Sequence, residues 1–91
     1  MEQHLSQYKI FYEVARCGNI SRAAKELYIS QPAISKAISK LEESLGIKLF
    51  SRNSRGVQLT REGAILFQHV NTAIDSIGRG ERELKRIHDF H

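Results

Sequence analysis

Apolar positions in residues 5–17 recur at helical spacing. Leu5, Tyr8, Phe11, Tyr12, Val14 and Ala15 share one side, and Gln7, Lys9, Glu13 and Arg16 lie mainly between them. This period predicts an amphipathic helix, with Gly18-Asn19 as its stop. Ser21 reads as the N-cap of a short second helix, Arg22 to about Leu27, whose packing side is Ala23, Ala24 and Leu27. After the brief gap Tyr28-Ile29-Ser30, a third helix begins with Ser30 as N-cap. Pro32 falls in its first turn, where a missing N–H breaks no intrahelical bond, and Gly46 suits a left-handed cap after Leu45.

The period then changes. Lys48-Leu49-Phe50-Ser51-Arg52 and Val57-Gln58-Leu59 are short strand-like runs, and Asn53-Ser54-Arg55-Gly56 between them is turn chemistry, so a β-hairpin is expected. Thr60 caps a last helix reaching roughly to Ile87. Its apolar residues Leu66, Val70, Ala73, Ile77, Gly80, Leu84 and Ile87 are spaced 4, 3, 4, 3, 4, 3, a heptad seam that wants a partner helix. A helix of about 27 residues is roughly 40 Å long at 1.5 Å per residue, too long for a domain this small to cover. Ala64, Ile65 and Phe67 are expected to pack its first turns on the domain, and self-association to use the seam. The order is mainly α: three helices, a two-stranded wing, and a long dimerisation or linker helix. The domains read as 1–60, a winged helix-turn-helix (helix-turn-helix about 21–45, wing about 48–59), and 61–91, the linker helix.

In the third helix Ile34, Ala37, Ile38, Leu41 and Leu45 fall within one arc, which predicts the core side. Pro32, Ser35, Lys36, Ser39 and Lys40 fall opposite, with Ala33 at the edge and Gln31 in the exposed first turn. These outer side chains are small or polar and free of acid until Glu43. Short outer side chains let a helix approach the floor of the B-DNA major groove. Gln pairs bidentately with adenine, Ser suits base edges or phosphate, and Pro or Ala touches a thymine methyl. The bland reading of such a face is a solvated helix surface. Two short helices joined by a tight turn, the second with this face, favour DNA binding. Arg52 and Arg55, at or beside the hairpin tip, suit a phosphate backbone or a narrow minor groove; taken alone, they read more readily as an exposed loop that is basic for solubility.

Charge supports the same region. The chain carries +4 from 14 Lys+Arg against 10 Asp+Glu. Residues 1–20 and 61–91 each cancel. Residues 21–60 hold seven basic groups (Arg22, Lys25, Lys36, Lys40, Lys48, Arg52, Arg55) against three acidic ones (Glu26, Glu42, Glu43), which is the whole excess. A local positive field is what a polyanion-binding face needs, because released counterions drive association.

Residues 5–61 resemble the N-terminal domain of LysR-type transcriptional regulators. The matching stretches are Phe11…Val14-Ala15…Gly18-Asn19-Ile20-Ser21-Arg22-Ala23-Ala24, Leu27-Tyr28-Ile29-Ser30-Gln31-Pro32-Ala33-Ile34-Ser35-Lys36, Ile38…Leu41-Glu42…Leu45-Gly46…Leu49-Phe50…Arg52 and Leu59-Thr60…Gly63. The resemblance implies a bacterial regulator that reads an inverted repeat in promoter DNA as a homodimer. It places the reading helix in the major groove and the wing at the minor groove, with those roles on Gln31, Pro32, Ala33, Ser35, Lys36, Ser39, Arg52 and Arg55. Ser21, Ser30 and Lys40 complete the candidate DNA-binding set. Many members carry Arg at the position of Lys36 and a larger residue at that of Ser39, so the half-site preference stays open. The resemblance also implies a C-terminal α/β domain that binds a small-molecule inducer. That domain is absent from these residues, which read as one part of a longer regulator, and a tetramer of the full-length protein stays open.

Other chemistry is thin. No acid pair or Ser/His/Asp set presents itself, and Gly78-Arg79-Gly80 lies inside a helical pattern and is no phosphate loop, so no enzyme and no cofactor are expected. His88 and His91 are three apart, but two ligands near a terminus make no metal site, and none is expected. His4 and His69 read as surface residues. Cys17 has no partner for an internal disulfide, and its place in an amphipathic helix suits a small packing residue. With no basic flank or apolar stretch at Met1-Glu2-Gln3-His4 and no run long enough to span a bilayer, a cytoplasmic location without membrane contact is expected. The alternative from another class is a winged-helix protein-interaction module that uses the terminal helix and never contacts DNA. It leaves the basic middle segment without a purpose.

Overall fold

The computed structural model describes residues 5–89. Its elements are α1 (Leu5–Cys17), α2 (Ile20–Leu27), α3 (Gln31–Leu45), β1 (Phe50–Asn53), β2 (Gly56–Leu59) and α4 (Arg61–Asp89). The mainly helical order with a two-stranded hairpin is the one the periodicity predicts. His4 and His91 lie outside the described residues.

Phe11 and Val14 of α1, Ala23 and Ala24 of α2, Ile34, Ile38 and Leu41 of α3, and Leu49, Phe50 and Val70 form the buried core. The alanines of α2 lack bulk, which lets the three helices approach closely around Phe11. The Phe11 ring lies 5.4 Å from that of Phe50 and 6.5 Å from that of Phe67, and Tyr12 stacks on Phe67 at 5.6 Å. One aromatic cluster therefore ties α1 to the base of the wing and to α4. Leu5, in the first turn of α1, is exposed, and Leu45, in the last turn of α3, is 41% exposed although its angle matches the core arc. Both sit beyond the edge of the packed layer.

The helix ends have local causes. The Asn19 side chain accepts from the Arg22 N–H at 3.0 Å, so Asn19, not Ser21, is the N-cap of α2, and the helix starts at Ile20. Ile20 packs against the core, which draws the start of the helix back to it. Ser30 caps α3 by accepting from Ala33 N–H at 3.2 Å, and Gly46 ends that helix at φ 73°. At the turn between α2 and α3 the left-handed residue is Tyr28, φ 58°, a conformation less favourable for L-residues than for glycine. The Tyr28 N–H donates to Lys25 O and the Ile29 N–H to Ala24 O, so the last carbonyls of α2 are satisfied. Thr60 Oγ1 accepts from Gly63 N–H and donates to Lys48 O, joining the start of α4 to the approach of β1.

The first turns of α4 pack differently from expectation. Gly63 and Val70 are buried, and Leu66, Phe67 and Ile74 pack against the core. Ala64 and Ile65 are exposed, so of the three residues predicted to dock the helix only Phe67 does. Of the residues expected in the seam, Val70, 8% exposed, belongs to the core of its own domain and Leu66 is partly buried against that core, so both are at least partly covered within one chain. At 100° per residue Ile77 and Leu84 fall on the same stripe as Leu66 and Val70, yet are 64% and 71% exposed, and Ile87 is exposed too. Along that stripe the domain's own core gives out between Ile74 and Ile77. The free end of α4 stretches the molecule to 51 × 25 × 23 Å.

Candidate nucleic-acid interface

The exposed face of α3 follows from its burial pattern. Ile34, Ile38 and Leu41 anchor one side, which turns Gln31, Pro32, Ala33, Lys36, Ser39 and Lys40 to solvent. Ser35 is half-buried at the flank, Ser30 is exposed at the cap, and Ser21 is half-buried in the first turn of α2. The exposed face carries only short or flexible side chains, as close approach to a groove requires.

The wing is a tight antiparallel ribbon with Phe50 opposite Leu59 and Asn53 opposite Gly56. Ser54 and Arg55 form its two-residue loop, and the Arg55 N–H donates to Asn53 Oδ1 at 2.8 Å, which fixes the tip. Arg52 and Arg55 are exposed. At its base the Leu49 and Phe50 N–H groups both donate to Glu42 Oε2, at 2.7 and 3.3 Å. At its far edge the Val57 N–H donates to the Gly18 carbonyl at 3.3 Å.

The acidic groups of the middle segment are largely occupied. Glu42 is held by the wing base and lies 3.8 Å from Lys48. Glu26 accepts from Arg16 Nη2 at 2.6 Å and lies 3.8 Å from Arg22. Lys25, Lys36, Lys40, Arg52 and Arg55 are exposed and form no ion pair with a described residue. Against these five exposed cations of α2, α3 and the wing stands one exposed acid of the segment without an ion pair among the described residues, Glu43, which leaves the elements a positive surface.

Sequence reasoning missed the polar cluster at the junction of α1 and α2. Arg16 Nη2 bridges Glu13 Oε2 (2.8 Å) and Glu26 Oε2 (2.6 Å), and the Cys17 thiol donates to Glu26 Oε2 at 3.4 Å. Burial and then the Glu26 carboxylate push the Cys17 thiol up, whereas the hydrogen bond from Cys17, ahead of Arg16, draws the Glu26 carboxyl down. Glu26 comes from ten residues beyond Arg16, and nothing in the periodicity announces the pairing. Cys17 packs against the core as a small residue. His69 and His88 are exposed on α4.

A three-helix core, an exposed polar face on the third helix, an arginine-tipped hairpin and a trailing long helix together define a winged helix-turn-helix protein. Residues 5–64 match the family of bacterial regulatory helix-turn-helix proteins of the lysR type, and the chain belongs to that family. It is 32% identical over 90 residues to the HTH-type transcriptional regulator CrgA of Neisseria meningitidis serogroup B, covering 99% of this chain and 30% of that protein. It is 46% identical over 78 residues to the probable cat1 operon transcriptional activator of Acinetobacter lwoffii, covering 86% and 25%. Among solved structures, the BenM_DBD/catB site 1 DNA complex superposes with a TM-score of 0.82 at 35% identity, covering 91% of this chain and 93% of that one. CbnR, a LysR family transcriptional regulator, superposes with a TM-score of 0.77 at 35% identity, covering 88% and 28%. The chain spans between a quarter and a third of the length of these two curated relatives. Among the described residues no helix is long and apolar enough to cross a membrane.

Proposed function

We propose that this chain is the sequence-specific double-stranded DNA-reading part of a bacterial transcription regulator. The observation that carries the proposal is the set of five exposed cations, without an ion pair among the described residues, distributed over α2, the exposed face of α3 and the wing. A surface of this kind gains affinity by releasing counterions from a polyanion. The BenM_DBD and CbnR_DBD chains that this one resembles were solved as DNA complexes, at 35% and 34% identity, which supports the same partner here.

In this reading Gln31, Pro32, Ala33, Ser35, Lys36 and Ser39 meet base edges in the major groove. Ser21, Ser30 and Lys40 hold the flanking phosphates, and Arg52 and Arg55 enter the adjacent minor groove. Residues 1–60 form the reading domain and 61–91 the linker helix. The exposed stripe Ala73, Ile77, Leu84 and Ile87, with Gly80 in register, joins two copies into a homodimer that reads an inverted repeat, in the cytoplasm. Tetramer formation and inducer binding belong to the longer regulator.

Gel-shift titration of the chain with duplexes from its own promoter region, at two salt concentrations, tests the proposal. A preferred duplex should emerge, and its affinity should fall steeply with salt. Equal binding of that duplex and a scrambled one at every salt concentration would overturn sequence reading.

A further inference from the structure

We infer that Glu42 is the positioning residue that sets the wing at its distance from the reading helix. The inference rests on the DNA-reading proposal for its functional half and on geometry for its structural half. Glu42 belongs to the C-terminal half of α3, the same helix that carries Gln31 and Lys36, and its side chain is only 11% exposed. One of its oxygens, Oε2, accepts two successive backbone N–H groups, those of Leu49 and Phe50. Phe50 is the first residue of β1, and Arg52 stands two residues further along the same strand. The carboxylate therefore fastens the root of the wing to the body of the reading helix.

The chemistry suits a rigid joint. Two N–H donors that converge on one ionised oxygen make charge-assisted hydrogen bonds, stronger than neutral ones. Leu49 is fully buried, so its N–H has little access to water as an alternative partner. The neighbouring anchors bind the wing to other elements: Thr60 Oγ1 and N–H to Lys48 O and Leu49 O, and Val57 N–H to Gly18 O. Those fix the wing to α4 and to the turn after α1. Glu42 fixes it to α3, and a reader that touches two grooves at once needs that spacing held, since a misplaced wing would lose its contacts while each contact residue stayed intact. Lys48 Nζ, 3.8 Å away and 82% exposed, is too loosely held to replace this joint.

The test uses Glu42→Ala, Glu42→Gln (which keeps one carbonyl acceptor) and Lys48→Ala in the full 91-residue chain. Amide exchange needs no DNA. Glu42→Ala should speed exchange at Leu49 and Phe50 about tenfold or more while leaving Ile34 and Ile38 unchanged, Glu42→Gln should fall between it and wild type, and Lys48→Ala should match wild type. Unchanged Leu49 and Phe50 exchange in Glu42→Ala would overturn the joint. The second arm is a binding cycle with Arg55→Ala on the best-bound duplex from the titration above. Arg55→Ala should weaken binding about fivefold or more in the wild-type background and less than about twofold in Glu42→Ala, because the wing has already lost its register. Fully additive losses would show that Glu42 does not act through the wing. If wild type bound no duplex at all, the DNA reading would fail, and with it the functional half of the inference. The exchange arm would still decide whether Glu42 holds the wing.

Discussion

The carbonyl oxygen of Gly18 lies 2.6 Å from the point where a β-carbon on Gly56 would stand. Gly18 follows α1 and Gly56 opens β2, so the wing closes onto the first helix by a backbone-to-backbone contact that admits no side chain. Gly56 also has φ 129°, which L-residues rarely adopt. Gly56→Ala should therefore destabilise the domain by about 2–4 kcal/mol, combining backbone strain with displacement of the wing. Gly46→Ala is the control, since Gly46 has φ 73° but open space around it, and about 1 kcal/mol is expected there. Urea denaturation of both variants checks the order. A Gly56→Ala loss no larger than that of Gly46→Ala would mean the wing is not seated on Gly18.

Cys17 should be a slow thiol. Burial and the adjacent Glu26 carboxylate raise its pKa, so at neutral pH a smaller fraction is thiolate than in a free cysteine. The higher basicity makes the remaining thiolate a better nucleophile, but reactivity grows by less than half to half as steeply as thiolate falls, and the net effect is slower alkylation. Iodoacetamide labelling of the folded chain should be slower than that of a denatured sample at the same pH, and Glu26→Gln should speed it by removing the negative neighbour. Labelling in wild type as fast as in the unfolded chain would contradict the geometry of this cluster.

Helix α3 was readable because its signals are local: Ser30, Pro32 and Gly46 are each specific to a helix end, and the apolar period between them is unbroken. The start of α2 was misplaced because Asn19 and Ser21 are both good caps two residues apart. What decides between them is the docking of Ile20 on the core, which is tertiary information. The same limit explains α4. Heptad spacing marks a stripe that must be covered but is silent about what covers it, and here the domain's own core takes the first part, Leu66 and Val70. The residues proposed for base reading were legible as a face, since burial of Ile34, Ile38 and Leu41 leaves their opposite side outward. Glu42 was not. Its acceptors' partners lie seven and eight residues on, across a turn, and a lone acid near the end of a helix carries no sign of that reach.

Gln31 and Arg55 should fail differently under the DNA proposal. Both are exposed, but Gln31 opens the reading helix and has two hydrogen-bonding groups on a short stem, whereas Arg55 rides the wing tip. Gln31→Ala should relax preference at one base pair by about 1–3 kcal/mol, with smaller effects elsewhere in the site. Arg55→Ala should weaken binding across sequences or reduce preference for A/T-rich flanks, and should lower the salt slope by about one. Selection from a randomised half-site library reads both. An unchanged profile for Gln31→Ala would remove it from the reading set.

The uncovered half of the α4 stripe leads to the last expectation. Ile77 and Leu84 continue the line of Leu66 and Val70 past the point where the domain's core ends, and leaving two such side chains in water forgoes about 1.5–3 kcal/mol each. A second copy laid on this stripe recovers that burial. Two-fold pairing then presents two reading helices at a fixed separation, and the second half-site contact becomes intramolecular, which raises affinity by orders of magnitude without a new interaction. Ile77→Glu or Leu84→Glu places a charge in that contact and should give a folded monomer that keeps its half-site preference but loses most affinity for the inverted repeat. Val70→Ala should do something else: being core, it should lower the melting stability of the domain by about 1–3 kcal/mol, with dimerisation affected only in proportion. Sedimentation equilibrium, thermal melts and a parallel binding titration separate the two outcomes. If wild type stayed monomeric at tens of micromolar both free and on DNA, a range chosen because weak dimers of about 10⁻⁵ M are populated there, the exposed stripe would not be a dimer interface. The same conclusion would follow if the glutamate variants bound the full site as tightly as wild type.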